Sequence, residues 1–174
     1  MTDWSKIKAV TLDVDGVMTD GSLLCYDSHE AVRVFNAKDS FGLRMAAMSG
    51  LRLAVFTGGD TEGVRFRMEV CGVPAEDVHM HCRGKLREFN AFCTKYALSP
   101  EEVLYIGDDI PDVPVLRAAG LGVAPADGAG EALEAADVVA PFGGGKGCVR
   151  WAVEQVLRAR GLWSFSAETY ERVF

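Results

Sequence analysis

Apolar and β-branched runs of four or five residues recur along this chain, and each opens into a polar or glycine-bearing segment. Ala9–Leu12, Arg52–Phe56 and Val103–Ile106 lack the strict alternation of a half-solvated strand. They predict strands buried on both faces, as in a parallel sheet. Residues 78–81, 121–123 and 138–139 predict shorter strands. Between these runs the period lengthens to that of helices, over residues 40–49, 61–70, 85–96, 112–119 and 147–160, with an Ala/Glu-rich helix before residue 138. In the helix over 61–70, Val64, Met68 and Cys71 make the apolar stripe; over 85–96, Leu86, Phe89, Ala91, Phe92 and Cys93 do. Ser99-Pro100-Glu101-Glu102 has the form of a capping box with proline at the first position, confined to a short turn by the strand that comes next. Strands alternating with helices predict a single doubly wound, Rossmann-like α/β domain spanning residues 1–174, with a mainly parallel sheet.

Residues 21–35 break this rhythm. Leu23 and Tyr26, then Ala31, Val32, Val34 and Phe35, flank the polar stretch Asp27-Ser28-His29-Glu30, which predicts a small β-hairpin inserted after the first strand. A lone two-stranded hairpin is marginal in water, so its apolar residues need the body of the domain or a neighbouring subunit. Residues 161–174 carry Leu162, Trp163, Phe165, Tyr170, Val173 and Phe174, too apolar for a disordered tail, and are expected to dock.

The first strand ends in Asp13-Val14-Asp15-Gly16. Ligands of parallel sheets bind beyond the carboxyl ends of the strands. Residues i and i+2 of an extended chain share a side, so Asp13 and Asp15 are expected close together. Buried carboxylates repel and need compensation, which a hard, oxygen-loving dication such as Mg2+ supplies. Alone, such a pair also fits a turn cap beside a solvated acid. Three later segments decide between the two: Thr57-Gly58 after the second core strand, Lys85 opening a helix, and Gly107-Asp108-Asp109 with Asp112 after the third.

Composition narrows the partners. The formal charge of -7 disfavours nucleic acid, which is bound through basic surface. Five scattered cysteines without a C-x-x-C read as thiols in a reducing compartment. His79, His81 and Cys82 offer an incomplete zinc set. The polar opening residues and the absence of any run near membrane-span length point to a cytoplasmic protein without a membrane partner. Gly143 to Gly147 lacks the Ser/Thr of a nucleotide phosphate loop and is read as a loop near the mouth of the site.

In their order, Asp13-x-Asp15-Gly, Thr57-Gly58, Lys85 and Gly107-Asp108-Asp109-x-x-Asp112 resemble the haloacid dehalogenase superfamily of phosphohydrolases. The longer opening through Thr19-Asp20-Gly21, and Gly144 to Gly147, are similar to its small capless sugar-acid phosphatases. That resemblance implies Asp13 as nucleophile and Asp15 as acid and base. It implies Mg2+ held by Asp13, Asp108 and the backbone carbonyl of Asp15, phosphate bound by Thr57, Gly58 and Lys85, and an outer shell of Asp109 and Asp112. For the sugar acid it suggests Asn36, Lys38, Asp39, Ser40, Arg44 and Arg67. The implied substrate is 3-deoxy-D-manno-octulosonate 8-phosphate, or else a nine-carbon keto-sugar-acid phosphate. The implied assembly is a homotetramer in which hairpin and tail close neighbouring sites, because the chain has no room for a large cap domain. Two positions depart from the pattern: Gly59 stands where the group carries arginine or glutamate, and Trp151 where it carries an acid. A non-catalytic assembly module would lack Asp13 or Asp15, and a phosphoryl-accepting signalling receiver would have a different motif order.

Overall fold

The computed structural model of the chain describes residues 3–27 and 31–166. Its elements run β1 (Ala9–Leu12), β2 (Leu24–Cys25), β3 (Ala31–Val32), α1 (Ala37–Met48), β4 (Arg52–Phe56), α2 (Glu62–Val70), β5 (Val78–His79), α3 (Lys85–Lys95), β6 (Val103–Ile106), α4 (Val113–Ala118), β7 (Leu121–Ala124), α5 (Gly130–Ala135), β8 (Val138–Val139) and α6 (Cys148–Ala159). The strands outside the hairpin form a six-stranded sheet in the order β5-β4-β1-β6-β7-β8, with every neighbouring pair parallel. The chain leaves β1 for β4 and β5 on one side, then crosses back to β6 on the other. β1 is therefore central, and the crevice beyond its carboxyl end is where such sheets place a ligand.

Helices cover both faces, which is why the core strands are apolar without alternation. Val10, Leu12, Leu53, Val55, Leu104 and Ile106 point to the face covered by α1, α2 and α6. Ala9, Ala54, Phe56, Val103 and Tyr105 point to the face covered by α3, α4 and α5. α6 buries Cys148, Val149, Ala152, Val153, Val156 and Leu157, a stripe at helical spacing. α1 packs closely on it at Gly42, where a Cβ would lie 3.0 Å from the Arg150 Cα.

Several boundaries differ from the sequence expectation for local reasons. α1 begins at Ala37 rather than residue 40, because the Asn36 side chain accepts from the Lys38 amide and caps it. The helix expected from Asp112 starts as a 3-10 turn over Ile110–Asp112, capped by Asp109, before α4 proper. On α3, Leu86 and Ala91 are exposed; the inward positions belong to Lys85, Phe89, Phe92 and Cys93. A lysine thus occupies a place on the stripe that the pattern assigned to a hydrophobe.

β2 and β3 pair antiparallel as a hairpin, Leu24 opposite Val32 and Cys25 opposite Ala31. The part of its expected turn formed by Ser28, His29 and Glu30 lies outside the described residues, as do Tyr170, Val173 and Phe174 of the tail. Leu23, Leu24, Tyr26, Val32 and Val34 are exposed. The described start of the tail packs on its own domain: Leu162 and Trp163 lie against the core, and Trp163 meets Phe41 edge-on at 6.4 Å. Among the described residues no helix is long and apolar enough to cross a membrane.

Candidate active site

Three adjacent strand ends and the start of one helix converge. Asp13 continues β1, its amide donating to the Ile106 carbonyl at 3.0 Å. Thr57 and Gly58 come directly after β4, and Asp108 and Asp109 after β6. Lys85 opens α3, which returns from the sheet edge at β5. Together with Asp15, Gly59, Cys82, Arg83, Pro111 and Asp112 they line a cavity of about 400 Å³.

The floor of this cavity is a buried ionic network. Lys85 Nζ lies 2.6 Å from Asp13 Oδ2 and 2.6 Å from Asp112 Oδ1. The other Asp13 oxygen accepts from the Val14 amide at 2.6 Å, so both oxygens are fixed. Asp112 is completely buried; it also accepts from the Tyr105 hydroxyl and from the amides of Asp108 and Asp109. Burial pulls the Lys85 ammonium toward losing its proton, but the Asp13 and Asp112 charges outweigh it and hold its pKa above the usual value. Burial pushes Asp13 up to about 7, with Asp112 adding to the rise and Lys85 opposing it. Asp108 is also pushed up to about 7, by burial first and then by the charges of Asp13 and Asp112. Burial and the same two acids hold the Tyr105 hydroxyl protonated, as a donor must be.

Two further observations indicate what would relieve this crowding. Ligand oxygens of Asp13, Asp108 and Asp112 all lie within 4.8 Å of one another. Asp108 Oδ1 is buried yet has no hydrogen-bond partner. Raised carboxylates around an orphaned oxygen suit a small dication with oxygen ligands. Asp112 already accepts from Lys85, Tyr105 and two amides, so Asp13 and Asp108 are the side chains left to hold such an ion. Gly16 makes room for them: its φ is +82°, and a Cβ there would sit 2.0 Å from Asp108 Oδ2.

On the opposite wall, Thr57 is buried and its Oγ1 accepts from the Gly59 amide at 3.1 Å. A Cβ on Gly58 would meet nothing within 4 Å, which leaves its backbone open to a ligand. Asp15 lines the cavity beside Asp13, but its side chain is engaged separately: Arg33 Nε and Nη2 bind its two oxygens at 2.6 and 2.9 Å.

Motif and periodicity do not single out Arg33, Tyr105 or Arg83. Arg33 sits on the polar phase of the hairpin's alternation, and Tyr105 is the one side chain with a hydroxyl in Val103–Ile106. Both are usable signals; Arg83, two residues before Lys85, gives none.

The suggested sugar-acid residues fall elsewhere. Asp39 is fully buried and accepts from the amides of Gly147 and Arg150, so it caps α6. Asn36 caps α1 and donates to the Gly145 carbonyl. Ser40 accepts from Arg67 at 2.6 Å and donates to the Asn36 carbonyl. Arg44 donates to the Val70 carbonyl. Lys38 lines a separate groove beside α6, and Arg67 lines another between hairpin and α2. None of the six lines the cavity over Asp13: five lie on or at the cap of α1 and Arg67 lies on α2.

This constellation at the carboxyl end of a parallel sheet is that of a phosphohydrolase. A model of the haloacid dehalogenase-like hydrolase family matches residues 42–120. The chain belongs to the haloacid dehalogenase-like hydrolases. It is 36% identical to the 3-deoxy-D-manno-octulosonate 8-phosphate phosphatase KdsC of Salmonella typhi, over 92% of this chain and 85% of that protein. The crystal structure of the 3-deoxy-D-manno-octulosonate 8-phosphate phosphatase from Yersinia pestis superposes with a TM-score of 0.88 at 31% identity, covering 91% of this chain and 85% of that one. The corresponding phosphatase from Moraxella catarrhalis, in complex with magnesium ion, phosphate ion and KDO, superposes with a TM-score of 0.85 at 28% identity, covering 91% and 90% of the two chains.

Proposed function

We propose that this protein is a Mg2+-dependent phosphatase of a sugar-acid phosphate, 3-deoxy-D-manno-octulosonate 8-phosphate. The observation that carries the reaction is the fixed Asp13 carboxylate at the end of β1, between Lys85 and the orphaned oxygen of Asp108. The substrate rests on the likeness to the octulosonate phosphatases over nearly the whole chain.

Asp13 is the nucleophile. Its oxygen forms a bond to phosphorus as the bond from phosphorus to the sugar oxygen breaks, leaving an aspartyl phosphate. Lys85 and the Val14 amide keep the carboxylate from rotating, which preserves the attack geometry. Asp13 and Asp108, with the Asp15 carbonyl, would hold Mg2+, which would supply the positive charge that lets a carboxylate approach a phosphate dianion. Thr57, the Gly58 amide and Lys85 bind the phosphoryl oxygens, where charge accumulates. Arg33 must first release Asp15; the freed, protonated Asp15 then gives its proton to the departing alkoxide and takes one from the water that attacks the aspartyl phosphate. Asp112 holds Lys85 and the amides of Asp108 and Asp109 in place, and Asp109 caps the turn that presents Asp112.

The working protein is a cytoplasmic single-domain chain in a homotetramer. The exposed apolar residues of the hairpin support this, since they need a covering surface. A monomeric mass by light scattering would overturn the assembly. The reaction is tested by phosphate release from the octulosonate ester with and without Mg2+. Turnover is expected to require the metal and to fall at least about a thousandfold in Asp13→Asn. Unimpaired turnover by that variant would refute the nucleophile.

A further inference from the structure

The cavity presents five acids, Asp13, Asp15, Asp108, Asp109 and Asp112, to a substrate that carries two anionic groups under the proposed function. The cations near it are mostly committed. Lys85 is shared between Asp13 and Asp112. Arg33 spends Nε and Nη2 on Asp15, and its Nη1 on the Ala31 carbonyl and the Thr61 hydroxyl. Arg83 differs: it lines the cavity and is exposed, and among the described residues it has neither an ion pair nor a hydrogen bond.

Its position is built, although its side chain is unpaired. The His81 amide donates to the Gly59 carbonyl at 3.1 Å, and the Cys82 amide to the Thr57 carbonyl at 2.8 Å. His81 takes a left-handed conformation at φ 51°, unusual for a residue with a side chain, and its Nε2 lies 3.2 Å from Asp60 Oδ2. These contacts tie the segment before α3 to the loop that offers Thr57 and Gly58. Arg83 comes directly after them, so its backbone is anchored beside the phosphate-binding wall while its guanidinium is unspent.

Resting on the phosphatase reading, we infer that Arg83 is the specificity residue that binds the carboxylate of the sugar acid. A guanidinium fork binds a carboxylate through two parallel hydrogen bonds, which a neutral sugar cannot replace. The phosphate end lies against Thr57, Gly58 and Lys85, and the acid end reaches the Arg83 side of the same wall.

The test compares wild type, Arg83→Gln and Arg83→Lys with Mg2+ on two esters, 3-deoxy-D-manno-octulosonate 8-phosphate and glucose 6-phosphate, which has no carboxylate. In Arg83→Gln, kcat/KM for the octulosonate ester should fall about ten- to a hundredfold, mainly through KM, and by at least about tenfold more than for glucose 6-phosphate. Arg83→Lys should recover part of that difference. Inhibition by inorganic phosphate should weaken less than binding of the octulosonate ester. Equal losses on the two esters, or no loss on either, would overturn the inference while leaving the phosphatase reading intact. A wild-type enzyme inert toward both esters would bring down the reading and the inference with it.

Discussion

Lys85 and Arg33 each hold one aspartate of the Asp13 and Asp15 pair, and the two pairings are built on different terms. Lys85 projects from α3 into the protein; its side chain and that of Asp112 are 6% and 0% exposed. Arg33 projects from the hairpin, just past its two-residue strand β3, and is itself 5% exposed, but the side chain of its partner Asp15 remains 30% exposed. In the first pairing no water can substitute for Lys85 at Asp112, and Asp13 is only 12% exposed. In the second the carboxylate can be rehydrated. Burial, more than distance, decides what each pairing contributes, since Lys85 and Arg33 both approach an aspartate to 2.6 Å.

The largest expected effect lies at the floor. Lys85→Met leaves Asp13 and Asp112 buried without a counter-charge and should destabilise the metal-free protein by about 3–5 kcal/mol at pH 8, measured by urea unfolding. Adding Asp112→Asn should restore part of that loss; strictly additive effects would show that the two residues are not one network. Proton competition for the metal comes next. Asp13 and Asp108 both stand at about 7 without metal, so Mg2+ must displace protons from them at lower pH. Calorimetric Mg2+ affinity should therefore fall about tenfold per carboxylate between pH 8 and pH 6. The sign reverses for the metal-free fold. A carboxyl raised in the native state favours folding at low pH, and that contribution is lost as pH climbs from about 4 to 7. Melting curves without Mg2+ should show this decline, and a flat profile would count against both shifts.

Smaller effects sharpen the same contrast. Tyr105→Phe removes one donor from the buried Asp112 and should cost about 1.5–3 kcal/mol, the range for a hydrogen bond to a charged group. Arg33→Ala should change unfolding stability by no more than about 1 kcal/mol, as for a partly solvated ion pair. A loss from Arg33→Ala equal to that from Lys85→Met would erase the distinction between floor and hairpin.

The same contrast explains what could be read from the chain. The core strands, their parallel order and the acids at their ends were legible because each depends on local pattern: an apolar run, a strand end, a motif in sequence. Lys85 is marked by its motif, yet its burial is not, since periodicity assigns Leu86 to the inward stripe. Asp39 shows the opposite failure. By resemblance, its place after the hairpin suggested a ligand role, whereas its oxygens meet the amides of Gly147 and Arg150 at the start of α6, far away in sequence. Arg83 was invisible because an arginine in a loop has no pattern of its own, and Arg33 showed only as the polar phase of the hairpin. Their partners, or lack of them, exist only once β1, β4 and the segment after β5 stand side by side.

The central place of β1 has a consequence for synthesis. Ala9–Leu12 is entirely buried and takes one neighbour from β4 and the other from β6. A nascent chain that has released β4 but not yet residues 103–106 therefore carries this buried strand with one bare flank. Such an edge is a template for pairing with another polypeptide. Ribosome stalling in that window should favour aggregation, whereas a stall after Val139 has emerged, with every strand of the sheet released, should not.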